Sequence, residues 1–121
     1  MIDSATARSN ALSLFEAINA KDLTAVLDHY AEDGKVTHPF GEFEGKAALE
    51  EFYGGLVLQA DTHLSFGRVA AEGKCCAVEL IAVSPQAPDT PQYALDMVEF
   101  NDAGKIQHLS VYYLNFNVGQ G

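Results

Sequence analysis

Asp96 is the residue best placed to do chemistry. It sits in the middle of Tyr93-Ala-Leu-Asp-Met-Val-Glu-Phe100. The apolar and aromatic content of that run predicts a β-strand, an element that disfavours Asp. At period two it shares a face with Ala94, Val98 and Phe100. A carboxylate among such neighbours must be paired, hydrogen-bonded or neutralised by a raised pKa. Facing inward, it would be a carboxylic acid in an apolar pocket, able to donate a hydrogen bond while neutral and suited to proton chemistry. Facing outward, it would be solvated or half of an interface ion pair. The opposite face, Tyr93, Leu95, Met97 and Glu99, is equally apolar and also carries a carboxylate. Periodicity therefore leaves both placements open.

His38 is the second candidate. Pro39 biases it away from helix, and it shares a strand face with Val36. A neutral imidazole facing a cavity can act as general base or hydrogen-bond a ligand carbonyl. At a strand end it can equally be a half-exposed histidine with no such task. Tyr30, Tyr53 and Tyr113 each fall on an apolar stripe or strand face. Buried tyrosines need a partner for the hydroxyl, so these three are satisfied core aromatics unless they converge on one cavity. His29, His63 and His108 are read as surface residues. No nucleophile elbow, phosphate-binding loop, dinucleotide fingerprint or paired His/Glu metal motif occurs. Nothing asks for a cofactor or a metal.

Composition narrows the partners. With 7 Lys/Arg against 17 Asp/Glu, the net charge is −10 and the basic residues are scattered. Nucleic acid is excluded as an expected partner, because phosphate binding needs a basic footprint. An anionic membrane surface is disfavoured for the same reason, and no run approaches the ~18 apolar residues of a membrane helix. The first residues lack a basic start and an apolar run, which reads as no signal peptide. Cys75 and Cys76 are adjacent, without ligand-like spacing to another Cys or a His. They read as reduced core residues of a cytoplasmic protein. The 121 residues suit a single domain spanning the whole chain, 1–121.

The elements that must position these residues follow in order. Ala11, Leu14, Phe15 and Ile18 form an apolar stripe on a helix from about Ser4 to Ala20, with Ser4 or Thr6 as its cap. Asp22 caps a second helix whose stripe is Leu23, Val26, Leu27 and Tyr30. Residues 31–34 read as a turn, 35–39 as a short extended piece, and 40–45 as a loop whose Phe40 could rim a cavity. A third helix runs from about Lys46 to Leu56, its last turn weakened by Gly54-Gly55. Then come strands at Thr62–Ala71, Cys75–Val83, Tyr93–Phe100 and from Ile106 to about Val118. The second of these is so apolar that both its faces should be covered. Residues 84–91, with three prolines, read as a loop, and Asn101-Asp-Ala-Gly104 as a hairpin turn. Segregated helices and strands of this kind make an α+β fold, a meander with helices on its curved face.

Several of these segments resemble bacterial ketosteroid isomerases. They are Asn19-Ala-Lys-Asp-Leu23, Tyr30-Ala-Glu-Asp33, Val36-Thr-His-Pro-Phe-Gly41, Gly45-Lys46, Phe52-Tyr53 and Asp96-Met-Val-Glu-Phe-Asn-Asp-Ala-Gly-Lys-Ile106. The isomerases belong to the nuclear-transport-factor-2-like superfamily, with the SnoaL-type polyketide cyclases. The resemblance implies a cystatin-like cone: three N-terminal helices packed on a strongly bent, mostly antiparallel sheet around a deep apolar pocket.

It also implies roles. Asp96 falls where the family has its oxyanion-hole Asp, and His38 where it has its Asp base. Leu14 falls where it has the oxyanion tyrosine. Tyr30 and Tyr53 match the tyrosines that support that one, and Tyr113 an aromatic pocket wall. Phe40 and Val98 complete the expected pocket. The expected activity is cofactor-free proton transfer, isomerase or cyclase, on a small apolar carbonyl compound. His38 would abstract the proton, while Asp96 with Tyr53 or Tyr30 would stabilise the oxyanion. A direct Asp96–His38 ion pair is the other arrangement of those two groups. Two further readings use the same fold: a non-catalytic ligand-binding module, and a homodimeric interaction protein with a filled cone. The face carrying Leu95 and Met97 suits a homodimer.

Overall fold

A computed structural model describes residues 2–114. Helix α1, Ser4–Asn19, and helix α2, Leu23–Asp28, come first, followed by strands β1, Tyr30–His38, and β2, Gly41–Glu44. Helix α3, Lys46–Phe52, runs into a π-helical turn, Tyr53–Val57. Strands β3, His63–Glu72, β4, Cys75–Ser84, β5, Ala87–Phe100, and β6, Ile106–Tyr113, complete the described chain. The architecture is α+β, but only two of the three helices precede the first strand. None of the helices is long and apolar enough to cross a membrane.

The six strands form one sheet in the order β2-β1-β6-β5-β4-β3. Every ladder is antiparallel except β1 with β6. That parallel ladder sets β1 beside β6 at the centre and brings His38 alongside the end of β6. The helices bury their stripes (Ala11, Leu14, Phe15 and Ile18 on α1, Leu49 and Phe52 on α3) against Val36, Val78, Val98 and Leu109 of the sheet. The other side of β4 and β5 stays half-open at Ala77, Ile81, Leu95 and Met97. Full coverage of β4 on both faces, expected from its composition, is therefore not what the fold provides.

Local chemistry explains several departures from the expected elements. Asp3, not Ser4 or Thr6, caps α1: its Oδ1 accepts the Thr6 N–H at 2.9 Å. Asp22 caps α2 as expected, accepting from Ala25 N–H at 3.1 Å. Helix α2 stops at Asp28, so Tyr30 opens β1 instead of extending the α2 stripe. The expected turn at 31–34 is a bulge within β1, where the pairing with β6 shifts register between Tyr30 and Lys35. Gly34 sits at that bulge, and a Cβ there would lie 2.8 Å from the Ile106 carbonyl oxygen. The expected loop at 40–45 contains β2, joined to β1 by a tight turn at Pro39-Phe40.

Residues 84–91 are not a loop either. The chain turns at Pro85-Gln86 and enters β5 at Ala87. Its prolines at 88 and 91 fall where the β4 register jumps between Ala82 and Ser84, away from regular ladder positions. The expected strand beyond Leu114 lies outside the described residues.

Candidate active site

Helices α1 and α3, strands β1, β3, β4, β5 and β6, and the π-helical turn converge on a cavity of about 360 Å³ between the helices and the sheet. Helix α1 contributes Phe15 and Ile18, and β3 and β4 contribute Leu64, Leu80 and Ala82. Asn19 holds the end of α1 over this region. Its amide donates to the Leu64 carbonyl and accepts the Leu64 N–H, both at 2.8 Å. The π-helical turn brings Tyr53, Leu56 and Val57 to the wall. There the Tyr53 carbonyl accepts from Leu58 N–H, five residues on, at 2.8 Å. The cavity is open, and the described side chains do not fill it.

Asp96 faces inward. Ala94, Asp96, Val98 and Phe100 are the buried set of β5, while Tyr93 and Glu99 are exposed. Asp96 is 5% exposed and lines the cavity. Its Oδ1 is buried with no hydrogen-bond partner among the described residues. Loss of water around the charged form pushes its pKa up to about 8. The carboxyl is thus largely a neutral acid at pH 7. It is not ion-paired with His38.

His38 lies across the cavity, within an aromatic group. Its ring packs at a tilt against Phe40 and Phe52 and edge-on to Tyr113, with centroids 4.9, 5.4 and 5.4 Å away. Nε2 is 2.9 Å from the Tyr113 hydroxyl oxygen, and Nδ1 accepts the Phe40 N–H at 3.2 Å. Burial lowers its pKa below the usual histidine value. Both ring nitrogens are engaged, so in this arrangement the imidazole presents no free lone pair to a ligand.

The three tyrosines divide into two sets. The Tyr30 and Tyr53 hydroxyls bond to each other, and both side chains are buried. Burial drives the Tyr30 and Tyr53 pKa values upward, and the nearby Asp96 charge adds to this. Tyr113 bonds to His38, and its pKa is raised by burial and then by Asp96. Asp96 is thus electrostatically linked to all three, but only Tyr53 and Tyr113 line the cavity. Phe40 stands at the rim, 78% exposed.

Three residues expected in the pocket wall lie behind it. Leu14 points into the core from α1 and is fully buried. Tyr30 lies behind Tyr53, and Val98 is buried one inward step beyond Asp96. None is among the lining residues. Leu64, Leu80 and Val111 line the cavity instead. Their apolar strand positions are visible in the sequence, but their convergence depends on the bend of the sheet. Among the described residues, no group of three or more His, Cys, Asp or Glu is placed to hold a metal ion.

Residues 11–109 match the SnoaL-like domain family. The chain belongs to that family. No curated protein matches it. Among solved structures, this SnoaL-like chain is similar to a provisionally named ketosteroid isomerase from Kribbella flavida, at 19% identity and a TM-score of 0.81. That match covers 92% of this chain and 79% of the other. It is also similar to SalBIII, an epoxide hydrolase/cyclase-like enzyme of pyran ring formation in the polyether salinomycin. There the identity is 22% and the TM-score 0.79, with 89% and 90% covered. A protein with a cystatin-like fold from Methylobium petroleophilum matches at 14% identity and a TM-score of 0.82, with 99% and 92% covered. At these identities the likeness establishes the nuclear-transport-factor-2-like fold of the SnoaL-like domain.

Proposed function

We propose that this SnoaL-like protein binds a small, largely apolar carbonyl compound in its cavity and moves a proton next to the carbonyl without a cofactor. The observation that carries this is the Asp96 carboxyl, unpartnered at Oδ1 among the described residues and walled by apolar side chains in an open cavity. Such a group costs stability. A carboxyl whose pKa is raised toward neutrality is suited to exchanging protons at pH 7. The class is isomerase or cyclase, in keeping with the isomerase and cyclase names among its structural neighbours.

Conversion of a β,γ-unsaturated cyclohexenone to its conjugated isomer, followed by ultraviolet absorbance, tests this. Wild type should exceed the uncatalysed rate, and Asp96→Asn and His38→Ala should each lower kcat by ~10² or more. The same negligible rate in wild type and variants would remove the enzymatic reading. A non-catalytic binding module is the second reading, favoured by the engagement of both His38 nitrogens. It predicts ligand binding without turnover.

The protein is further proposed to be a cytoplasmic homodimer. The half-open sheet face carries Ile81, Leu95, Met97 and Tyr112, the last 55% exposed, and a second copy of the chain would cover it. Sedimentation velocity should show a dimer for wild type and a monomer for Tyr112→Lys. A wild-type monomer at micromolar concentration would contradict it.

A further inference from the structure

The hydrogen bonds around His38 fix the direction of a proton. Nδ1 accepts the Phe40 backbone N–H. A neutral imidazole carries one ring proton, so here it is on Nε2. Nε2–H therefore donates to the Tyr113 oxygen, 2.9 Å away. The Tyr113 hydroxyl is left to donate its own proton elsewhere. No such direction is fixed at Tyr53, because its hydroxyl and that of Tyr30 are mutual partners and either can be the donor.

Asp96 stands diagonally across from Tyr113. In the β5–β6 ladder Asp96 faces Val111, and Tyr113 faces Ala94. Diagonal neighbours of this kind lie about 7–8 Å apart, their Cβ atoms somewhat closer. Both side chains line the cavity. A small ketone can therefore touch both at once.

Resting on the proton-transfer reading above, we propose that Tyr113, held by His38, donates the hydrogen bond to the ligand's carbonyl oxygen, while Asp96 is the base. This exchanges the parts that the resemblance assigns to positions 38 and 96. The substrate class is a ketone with a carbon–carbon double bond one carbon removed from the carbonyl. Ionised Asp96 takes a proton from the carbon between them. The C–H electron pair becomes a new C=C bond, and the carbonyl π pair moves onto oxygen, where the Tyr113 O–H meets the enolate. The oxygen pair then re-forms the carbonyl, the new C=C pair shifts one bond outward into conjugation, and the π pair of the old double bond takes the same proton from Asp96 at its far carbon. Nothing is oxidised or reduced. His38 is a positioning residue that acts through Tyr113.

The two assignments differ in the sign of their pH dependence. The titratable groups around Asp96 are Tyr30, Tyr53 and Tyr113, His38 across the cavity, and the Cys76 thiol on β4, whose pKa burial raises. At the cavity α1, α3 and β3 bring only apolar Phe15, Ile18, Phe52 and Leu64. With Asp96 as base, kcat/KM for cyclohexenone isomerisation rises with pH and levels off above about 8. With Asp96 as neutral donor and His38 as base, it falls above that pH.

The deciding experiment is this profile on wild type, together with the infrared C=O stretch of bound cyclohexanone, which cannot isomerise. Tyr113→Phe should lower kcat by ~10²–10³ and abolish the downshift of the stretch, which Tyr53→Phe should leave intact. His38→Gln, whose amide N–H can still reach Tyr113, should keep more activity than His38→Ala. Activity falling above about pH 8 overturns the proposal. So does His38→Gln as inactive as His38→Ala, or a downshift lost in Tyr53→Phe instead of Tyr113→Phe. Absent turnover with a downshift that needs Tyr113 overturns the Asp96 half and the enzymatic reading, and supports the Tyr113 half.

Discussion

Replacing Asp96 by Asn should remove a large pH-dependent loss of stability. In the unfolded chain this carboxyl has an ordinary value near 3.8, and in the fold it is pushed up to about 8. Between those values the folded state holds a proton that the unfolded state has released. Stability therefore falls as pH rises through this range, and the full penalty is reached above the folded value. The difference between 3.8 and about 8 amounts to on the order of 5 kcal/mol. That is a large part of the roughly 5–15 kcal/mol of a typical domain. Asn keeps the shape and cannot ionise. It still buries an amide, which adds a constant offset and no slope. Urea unfolding of both proteins across pH should show wild type losing stability relative to the variant up to about pH 8, then running parallel. Parallel curves throughout would mean that Asp96 titrates as an exposed carboxyl.

Leu14→Ala should be a costly core truncation on the helix that walls the site. Leu14 is fully buried and sits in the centre of the α1 stripe, between Ala11 and Ile18. Its neighbours are held by both helix and sheet, so the space left cannot collapse freely. Truncations of this type cost about 2–5 kcal/mol. Phe15 and Ile18, which wall the cavity, stand on the same helix, so ligand affinity should fall with stability. Thermal unfolding would check this, and a loss under about 1 kcal/mol would show that α1 is loosely packed. Leu14→Tyr should not restore a donor to the cavity, because the position faces core. It should overpack the core and cost about 1–3 kcal/mol.

Much of this was legible before the fold was known, and the exceptions have physical causes. The α1 stripe, the Asp22 cap and the Asn101–Gly104 turn are local signals, and each is present in the structure. The choice between the two faces of β5 was not local. Both faces are apolar, and only the helices packed on one of them decide it. Residues 23, 26, 27 and 30 fit a helical period, yet the pairing of Tyr30 with Ile106 of β6 makes it a strand residue. That partner lies 76 positions away along the chain, beyond the reach of periodicity. The prolines of 84–91 signal a loop, but a register jump gives prolines a place within a strand. The Tyr113–His38 bond joins residues 75 apart and had no signal in the pattern. The inward Leu14 shows a further limit of resemblance. A helix position can keep its place in the chain while its side chain serves the core.

The central claim is that the Asp96 carboxyl is held protonated inside an apolar cavity, and a carbon-13 NMR titration of its carboxyl carbon measures this directly. The signal is assigned by its absence in Asp96→Asn. The account predicts a single step near pH 8. A step near the ordinary value of 3.8 would contradict it.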